Sequence, residues 1–242
     1  MPAVAPRPWT VLPHGPLVRL EEALWVVEGE LPGRAAIRRR MSAVRLSDGR
    51  LAFHNAVPLR EEAMRALERQ GEPALLLVPN GLHRLDLHAW RLRYPRLRVF
   101  TSPQAAARVW EVVPVDGRWD DLPRDPALAV HRIEGSRFGE AAFAVESGGR
   151  TSLLFGDTVM NNPRPPGLQG WALAAIGSTG GPKVTPLARL LSIRDRAAAA
   201  RSLRRLAALP RLARLVPSHG EVVEAGAADA LRRAADGLHP AR

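Results

Sequence analysis

The chain contains no cysteine, which excludes disulfides, thiolate metal sites and cysteine nucleophiles. Aromatic residues make up only 5% and tyrosine occurs once, so platforms for stacking single-stranded nucleic acid are poorly supplied. Lysine is almost missing: among 35 basic residues only Lys183 is not arginine. No apolar run approaches the ~18–20 residues of a membrane-spanning helix. The opening Met1-Pro-Ala-Val-Ala-Pro-Arg-Pro lacks the apolar stretch of a signal peptide, so none is expected and a cytoplasmic location is the default. Internal repeats are also missing. The nearest thing to a linker is the turn-rich Asn161-Asn162-Pro-Arg-Pro-Pro-Gly167.

What is present is ordinary globular material. Hydrophobic residues reach 46% and charged residues 24% of 242, enough to build a sizeable core. A single domain over 1–242 is expected. The net charge is +11, and a basic excess can mark nucleic acid or an anionic membrane as partner. Arg38-Arg39-Arg40 is the only basic triplet, however, and Glu21, Glu22, Glu61, Glu62, Glu68, Asp120 and Asp121 interrupt the arginines of the first half. The charge therefore reads as a solvated arginine surface, most basic around Arg201, Arg204 and Arg205. Nucleic acid is not among the expected partners.

The first half reads as short strands and turns. Leu24 to Val27 is one strand. Met41 to Leu46 and Leu51 to His54 flank Asp48-Gly49, a hairpin signal. Ala63, Met64 and Leu67 fall at helical spacing within Arg60 to Gln70. Ala74 to Val78 is a continuous apolar run, typical of a strand buried on both faces. A helix over Leu85 to Arg93 and a strand over Arg98 to Phe100 complete a βαβ pattern that favours parallel pairing. Strands return at Ala129 to Ile133, Ala141 to Glu146 and Ser152 to Phe155. Helices over Arg196 to Leu209 and Ala227 to Leu238 enclose a last strand, Leu212 to Val216. The short Trp171 to Ile176 segment is expected to pack on the sheet or, alternatively, to serve as a partner-binding helix.

Three places share one layout, a polar residue just beyond an apolar strand. Val78 leads to Asn80 and His83, Phe155-Gly156 to Asp157, and Val216-Pro217-Ser218 to His219-Gly220. Ligands collect outside the carboxyl ends of parallel strands, and imidazole with carboxylate is a ligand set for zinc, manganese or iron. Each residue also has a plainer role. Asp157 would cap the following turn, His219 would be a core histidine, His83 a helix-entry residue and Asn80 a cap. Asp86 and His88 do not share a helical face and are expected on the surface. Ser136, in Gly135-Ser136-Arg137-Phe138-Gly139, would hold an anion through backbone N–H groups or simply form a turn. Gly177-Ser-Thr-Gly-Gly-Pro-Lys183 lacks the spacing of a nucleotide-binding loop and reads as a lid or packing loop.

The order of elements, with Phe155-Gly156-Asp157-Thr158 and Val216-Pro217-Ser218-His219-Gly220, resembles the metallo-β-lactamase superfamily from about Leu20 to Leu238. The resemblance implies an α/β fold, a four-layer αββα sandwich. It also implies a metal site, with Asp157 and His219 standing at two family ligands. Counted from the strand end, Asn80 stands at the first histidine of the family's His-x-His-x-Asp-His loop, Leu82 at the second, Arg84 at the aspartate and Leu85 at the last histidine. Ser136 stands at a further metal-binding histidine. The segment Pro79-Asn80-x-x-His83 is similar to a branch in which Pro-Asn-x-x-His replaces that loop. Leucine offers no lone pair and a guanidinium does not deprotonate, so a second metal site is expected to be lost. The expectation is at most one divalent metal, zinc being the best suited, held by His83, Asp157 and His219, or none. Asn80, Arg84 and Ser136 would line the pocket. Two functions follow from the resemblance. One is a hydrolase-like protein acting on an ester, amide or phosphoester, with Asp157 and His219 catalytic. The other is a non-catalytic relative that binds a small ligand.

Overall fold

The structure, a computed structural model, describes residues 7–164 and 166–238. The residues that bear on a signal peptide, 1–6, and His239 lie outside them. The chain divides into two compact units, 1–129 and 130–242.

The first unit is a seven-stranded sheet whose strands lie in chain order. β1 (Val18–Glu21), β2 (Leu24–Leu31), β3 (Arg34–Arg45) and β4 (Leu51–His54) pair antiparallel. The β3–β4 hairpin turns at Asp48-Gly49, where Asp48 Oδ1 accepts from Arg50 N at 2.9 Å and Gly49 takes φ +84°. β5 (Pro73–Val78), β6 (Arg98–Thr101) and β7 (Gly117–Arg118) then add in parallel. Parallel neighbours need crossovers, and α1 (Glu61–Glu68), α2 (Leu87–Arg93) and α3 (Ala106–Trp110) precede β5, β6 and β7. α1 turns Met64 and Leu67 into the core, where Phe53, Leu76 and Trp90 are fully buried. β5 runs between β4 and β6 with Leu75 and Leu76 both buried, as its unbroken apolar run predicts.

The second unit carries a four-stranded sheet. β8 (Leu128–Arg132), β9 (Ala141–Ser147), β10 (Arg150–Phe155) and β11 (Leu212–Pro217) lie in the order β11-β10-β9-β8. β9 and β10 form an antiparallel hairpin across Gly148-Gly149, both at positive φ. β10 and β11 are parallel. Between them run α4 (Gly167–Ala175), α5 (Pro186–Leu191) and α6 (Arg196–Ala207), and α7 (Ala227–Asp236) follows β11. α6 starts where Asp195 Oδ1 accepts from Ala198 N at 3.0 Å, an ordinary N-cap. Its Ala199, Leu203 and Leu206 pack with Leu231 and Ala235 of α7 on Leu153, Phe155 and Leu215 of the sheet. Each sheet is thus flanked by helices in a mixed α/β architecture.

One expectation fails here. Trp171 in α4 and Ile176 at its C-cap do not pack on the sheet: Trp171 is 69% exposed and Ile176 58%. The segment's apolar residues suggested a buried face, but this stripe faces solvent.

Candidate functional site

In the second unit two of the expected residues stand side by side. Phe155 and Pro217 are registered partners of the parallel pair β10–β11. Ser218 N continues the ladder by donating to Phe155 O at 2.8 Å. Asp157 and His219 each lie two residues past the end of their strand, so they emerge at one level. His219 Nε2 is 3.3 Å from Asp157 Oδ1, and both side chains are mostly buried.

The turns that present them are tightly made. Gly220 takes φ +89°, and a Cβ added there would lie 2.1 Å from the carbonyl oxygen of Asn161. Only glycine fits. Asn161 N donates to His219 O at 3.2 Å, and Glu221 N donates back to Asn161 O at 2.8 Å. The His-Gly dipeptide is therefore locked to the chain that follows Asp157. Beneath Asp157 lies a residue the sequence reading passed over. Glu140, fully buried just before β9, accepts from Asp157 N at 3.0 Å and from Thr158 N at 2.9 Å. Burial pushes its carboxyl up to about 7, the nearby Asp157 charge pushes the same way, and the two backbone donors partly oppose them. Glu140 thus caps the start of the turn that Asp157 opens. Its signal was an acid directly ahead of the apolar run Ala141-Ala-Phe-Ala-Val145.

Ser136 sits in the turn before Glu140. Its hydroxyl accepts from Glu140 N at 3.1 Å, while its own N–H donates to Ile133 O and that of Arg137 to Ser192 O. Those backbone donors are already bonded to carbonyls, so the turn reading of Ser136 describes it better than the anion nest.

In the first unit Asn80 is buried and forms the turn after β5. Its Oδ1 accepts from Leu82 N at 2.8 Å, and its carbonyl accepts from His83 N at 3.2 Å. His83 Nδ1 lies 2.8 Å from Asn55 Oδ1. Asn55 Nδ2 donates to Arg40 O at 2.8 Å. A carbonyl can only accept, so the amide is oriented with Oδ1 towards the ring. His83 must then donate from Nδ1, which puts its lone pair on Nε2. This is how a metal-binding histidine is commonly oriented by its surroundings. Asn55 takes φ +61°, a left-handed conformation that asparagine tolerates better than most residues.

Arg84 is turned to α3, where it donates to Glu111 Oε2 at 2.5 Å and Arg108 O at 2.8 Å. Its cation holds the Glu111 carboxyl below the usual range. Leu82 is exposed and Leu85 half-buried. Asp86 corrects another expectation. It is buried rather than on the surface, and Arg39 of β3 donates to it at 2.5 Å. Arg39–Asp86 and the Arg40 carbonyl tie the Asn80–Asp86 turn region to β3.

These donors fit a zinc-like ion. Two ligands at a tetrahedral zinc, each bonded at about 2.1 Å, lie roughly 3.4 Å apart. Asp157 and His219 are already 3.3 Å apart, and nitrogen and oxygen donors suit the ion.

Neither a family model nor any curated protein matches the chain. Solved structures do. A metallo-β-lactamase from Hirschia baltica is 13% identical with a TM-score of 0.63, covering 94% of this chain and 100% of that one. The metallo-β-lactamase FIM-1 from Pseudomonas aeruginosa, in its mono-zinc form, is 10% identical with a TM-score of 0.61, covering 95% and 98%. A metallo-β-lactamase from Pontibacter korlensis is 12% identical with a TM-score of 0.59, covering 91% and 98%. At such low identity the likeness speaks for architecture alone: the chain has the metallo-β-lactamase fold.

Proposed function

We propose that this chain is a hydrolase-like protein that holds at most one divalent metal, with zinc the best-suited ion, and acts on an ester, amide or phosphoester of a small molecule. The ligands would be Asp157 and His219, with His83 as the third. The observation that carries this reading is the Asp157–His219 pair, in register on adjacent parallel strands at 3.3 Å. The Nδ1–H form of His83 supports a third ligand through Nε2. FIM-1, a structural neighbour, is known in a mono-zinc form.

When bound, such an ion supplies Lewis acidity towards a carbonyl or phosphoryl oxygen and towards water. The chain's own residues supply the rest. Glu140 and Asn161 hold the two strand-end turns rigid, so Asp157 and His219 meet the reaction without reorganising. Asn55 keeps the His83 lone pair on Nε2. Arg84, paired with Glu111, leaves the former second-metal position without a donor.

The test has two readouts. Elemental analysis of protein purified without added metal should find up to one zinc-like equivalent, lost in Asp157→Asn and His219→Ala. Turnover of p-nitrophenyl acetate, an anilide and bis-p-nitrophenyl phosphate should fall with a chelator and in the same variants. Bound metal with no turnover of any ester, amide or phosphoester would leave a ligand-binding relative and remove the hydrolase reading.

A further inference from the structure

Among the described residues, exposed large apolar side chains concentrate in one stretch: Leu168, Trp171, Ile176, Leu187, Leu190 and Leu191 are all more than half exposed. They are arranged, not scattered. Leu168 and Trp171 are three apart on α4. Leu187, Leu190 and Leu191 follow the i, i+3, i+4 spacing on α5, in which Ala188 is the buried residue. Both helices thus turn an apolar stripe to solvent, the reverse of a core-facing helix. The loop that carries α4 is closed at its base, where Met160 and Lys183 exchange two backbone hydrogen bonds at 3.0 Å, and α5 follows directly. The loop springs from the strand end that carries Asp157.

Charge sharpens this observation. From Thr158 to Arg194 the chain has no acidic residue, yet it has Arg164, Lys183, Arg189 and Arg194. Lys183 is the only lysine of the protein. The Arg164 guanidinium stacks over Trp171 at 5.5 Å from the ring centre, which keeps a cation at the border of the apolar stripe. A second acid-free run, Arg196 to Gly220, carries six arginines, but no exposed large apolar side chain accompanies them there.

We propose that the α4–α5 excursion docks on an anionic lipid bilayer, Leu168, Trp171, Leu187 and Leu190 entering the headgroup–acyl boundary and Arg164, Lys183 and Arg194 facing lipid phosphates. No helix among the described residues is long and apolar enough to cross a membrane, so the attachment is peripheral. Tryptophan with leucine on one side and cations beside them is the composition of interfacial helices, and anionic headgroups attract neighbouring cations. A second copy of the chain is the competing occupant. A two-fold contact would set this acid-free stretch against itself, cation against cation, whereas lipid phosphates complement it. The docking does not depend on bound metal.

The experiment is sedimentation of the full chain with vesicles of phosphatidylcholine alone and of phosphatidylcholine with phosphatidylglycerol, at low salt and at about 0.5 M salt, where exposed charges are screened. Pelleting is expected with the anionic vesicles at low salt and much less in the other three conditions. Trp171→Ala with Leu190→Ser should weaken it about tenfold or more, as should Arg164→Glu with Arg194→Glu. These exposed positions should leave the circular dichroism melt unchanged. A third pair on another face, Arg201→Glu with Arg204→Glu, should still bind anionic vesicles. Absence of pelleting, equal pelleting with neutral vesicles, or equal loss in the third pair would overturn the proposal. So would a dimer that Trp171→Ala with Leu190→Ser converts to monomer while vesicles go unbound.

Discussion

The two parts of the candidate metal set are built by different means. Asp157 and His219 stand on the ends of two adjacent parallel strands, and the register Phe155↔Pro217 sets them level. His83 stands in an irregular turn and is oriented through a relay of side chain to side chain to backbone, His83–Asn55–Arg40. In the first case the ladder itself does the positioning, so little besides Gly220 and Glu140 is needed. In the second, one amide fixes which ring nitrogen carries the lone pair. A ligand placed by a strand end is robust to changes around it. A ligand placed by a relay fails when any member of the relay changes.

The largest effect is expected on the strand-end side, from the one residue its turn cannot replace. Gly220→Val puts a Cβ where the Asn161 carbonyl oxygen lies and forces a β-branched residue to φ +89°. It should cost about 3 kcal/mol or more of stability and displace His219, which thermal melts and zinc titration together would reveal. Asp157→Asn and His219→Ala should remove metal binding while the melt changes little, because a core of this size does not depend on a metal.

Next in size is the relay. Asn55→Leu should weaken zinc binding about 10–100-fold, although Asn55 would touch no metal. His83→Ala should weaken it at least as much. If Asn55→Leu bound zinc as tightly as wild type while His83→Ala did not, His83 would be a ligand oriented by something other than Asn55.

A smaller effect distinguishes Glu140 by pH. Its carboxyl is raised to about 7 in the folded protein, above its ordinary value. The folded state therefore binds the proton more tightly than the unfolded one. Stability from this group is full below the ordinary carboxylate value and is lost as pH rises through about 7. Metal-free wild type should lose up to a few kcal/mol over that window relative to Glu140→Gln, which has no carboxyl to titrate. Denaturant melts at several pH values would show parallel curves if Glu140 ionised normally.

The smallest effect is expected at Arg84. Its guanidinium is taken by Glu111 and Arg108 O, so Arg84→Ala should leave zinc stoichiometry and affinity unchanged. Acquisition of a second equivalent in Arg84→Asp alone would show that charge, rather than the missing lone pairs of Leu82 and Leu85, had closed the second position.

The contrast also explains what could be read without coordinates. The apolar run of β5, the Asp48-Gly49 hairpin and the leucine stripe of α6 carry their periodicity in the sequence, and the structure repeats them. Asp157 and His219 were legible because each follows a buried strand by a fixed short step. The tautomer of His83 was not, because Asn55 and Arg40 come from distant positions and meet only through strand pairing. Glu140 and Asp86 were missed for a related reason. Burial of a carboxylate depends on which backbone donors or which arginine the fold brings to it, and neither is visible in local spacing. α4 misled in the opposite sense, since an apolar stripe at helical spacing does not say whether a core or something outside the chain covers it.

Zinc titration of metal-free wild type beside His83→Ala and His219→Ala, with stoichiometry confirmed by elemental analysis, tests the one-metal site most directly. The expected result is a single equivalent in wild type, clearly weakened binding in His83→Ala and none in His219→Ala. Two tight equivalents in wild type, or one equivalent held by His83→Ala with undiminished affinity, would contradict a lone ion bound by His83, Asp157 and His219.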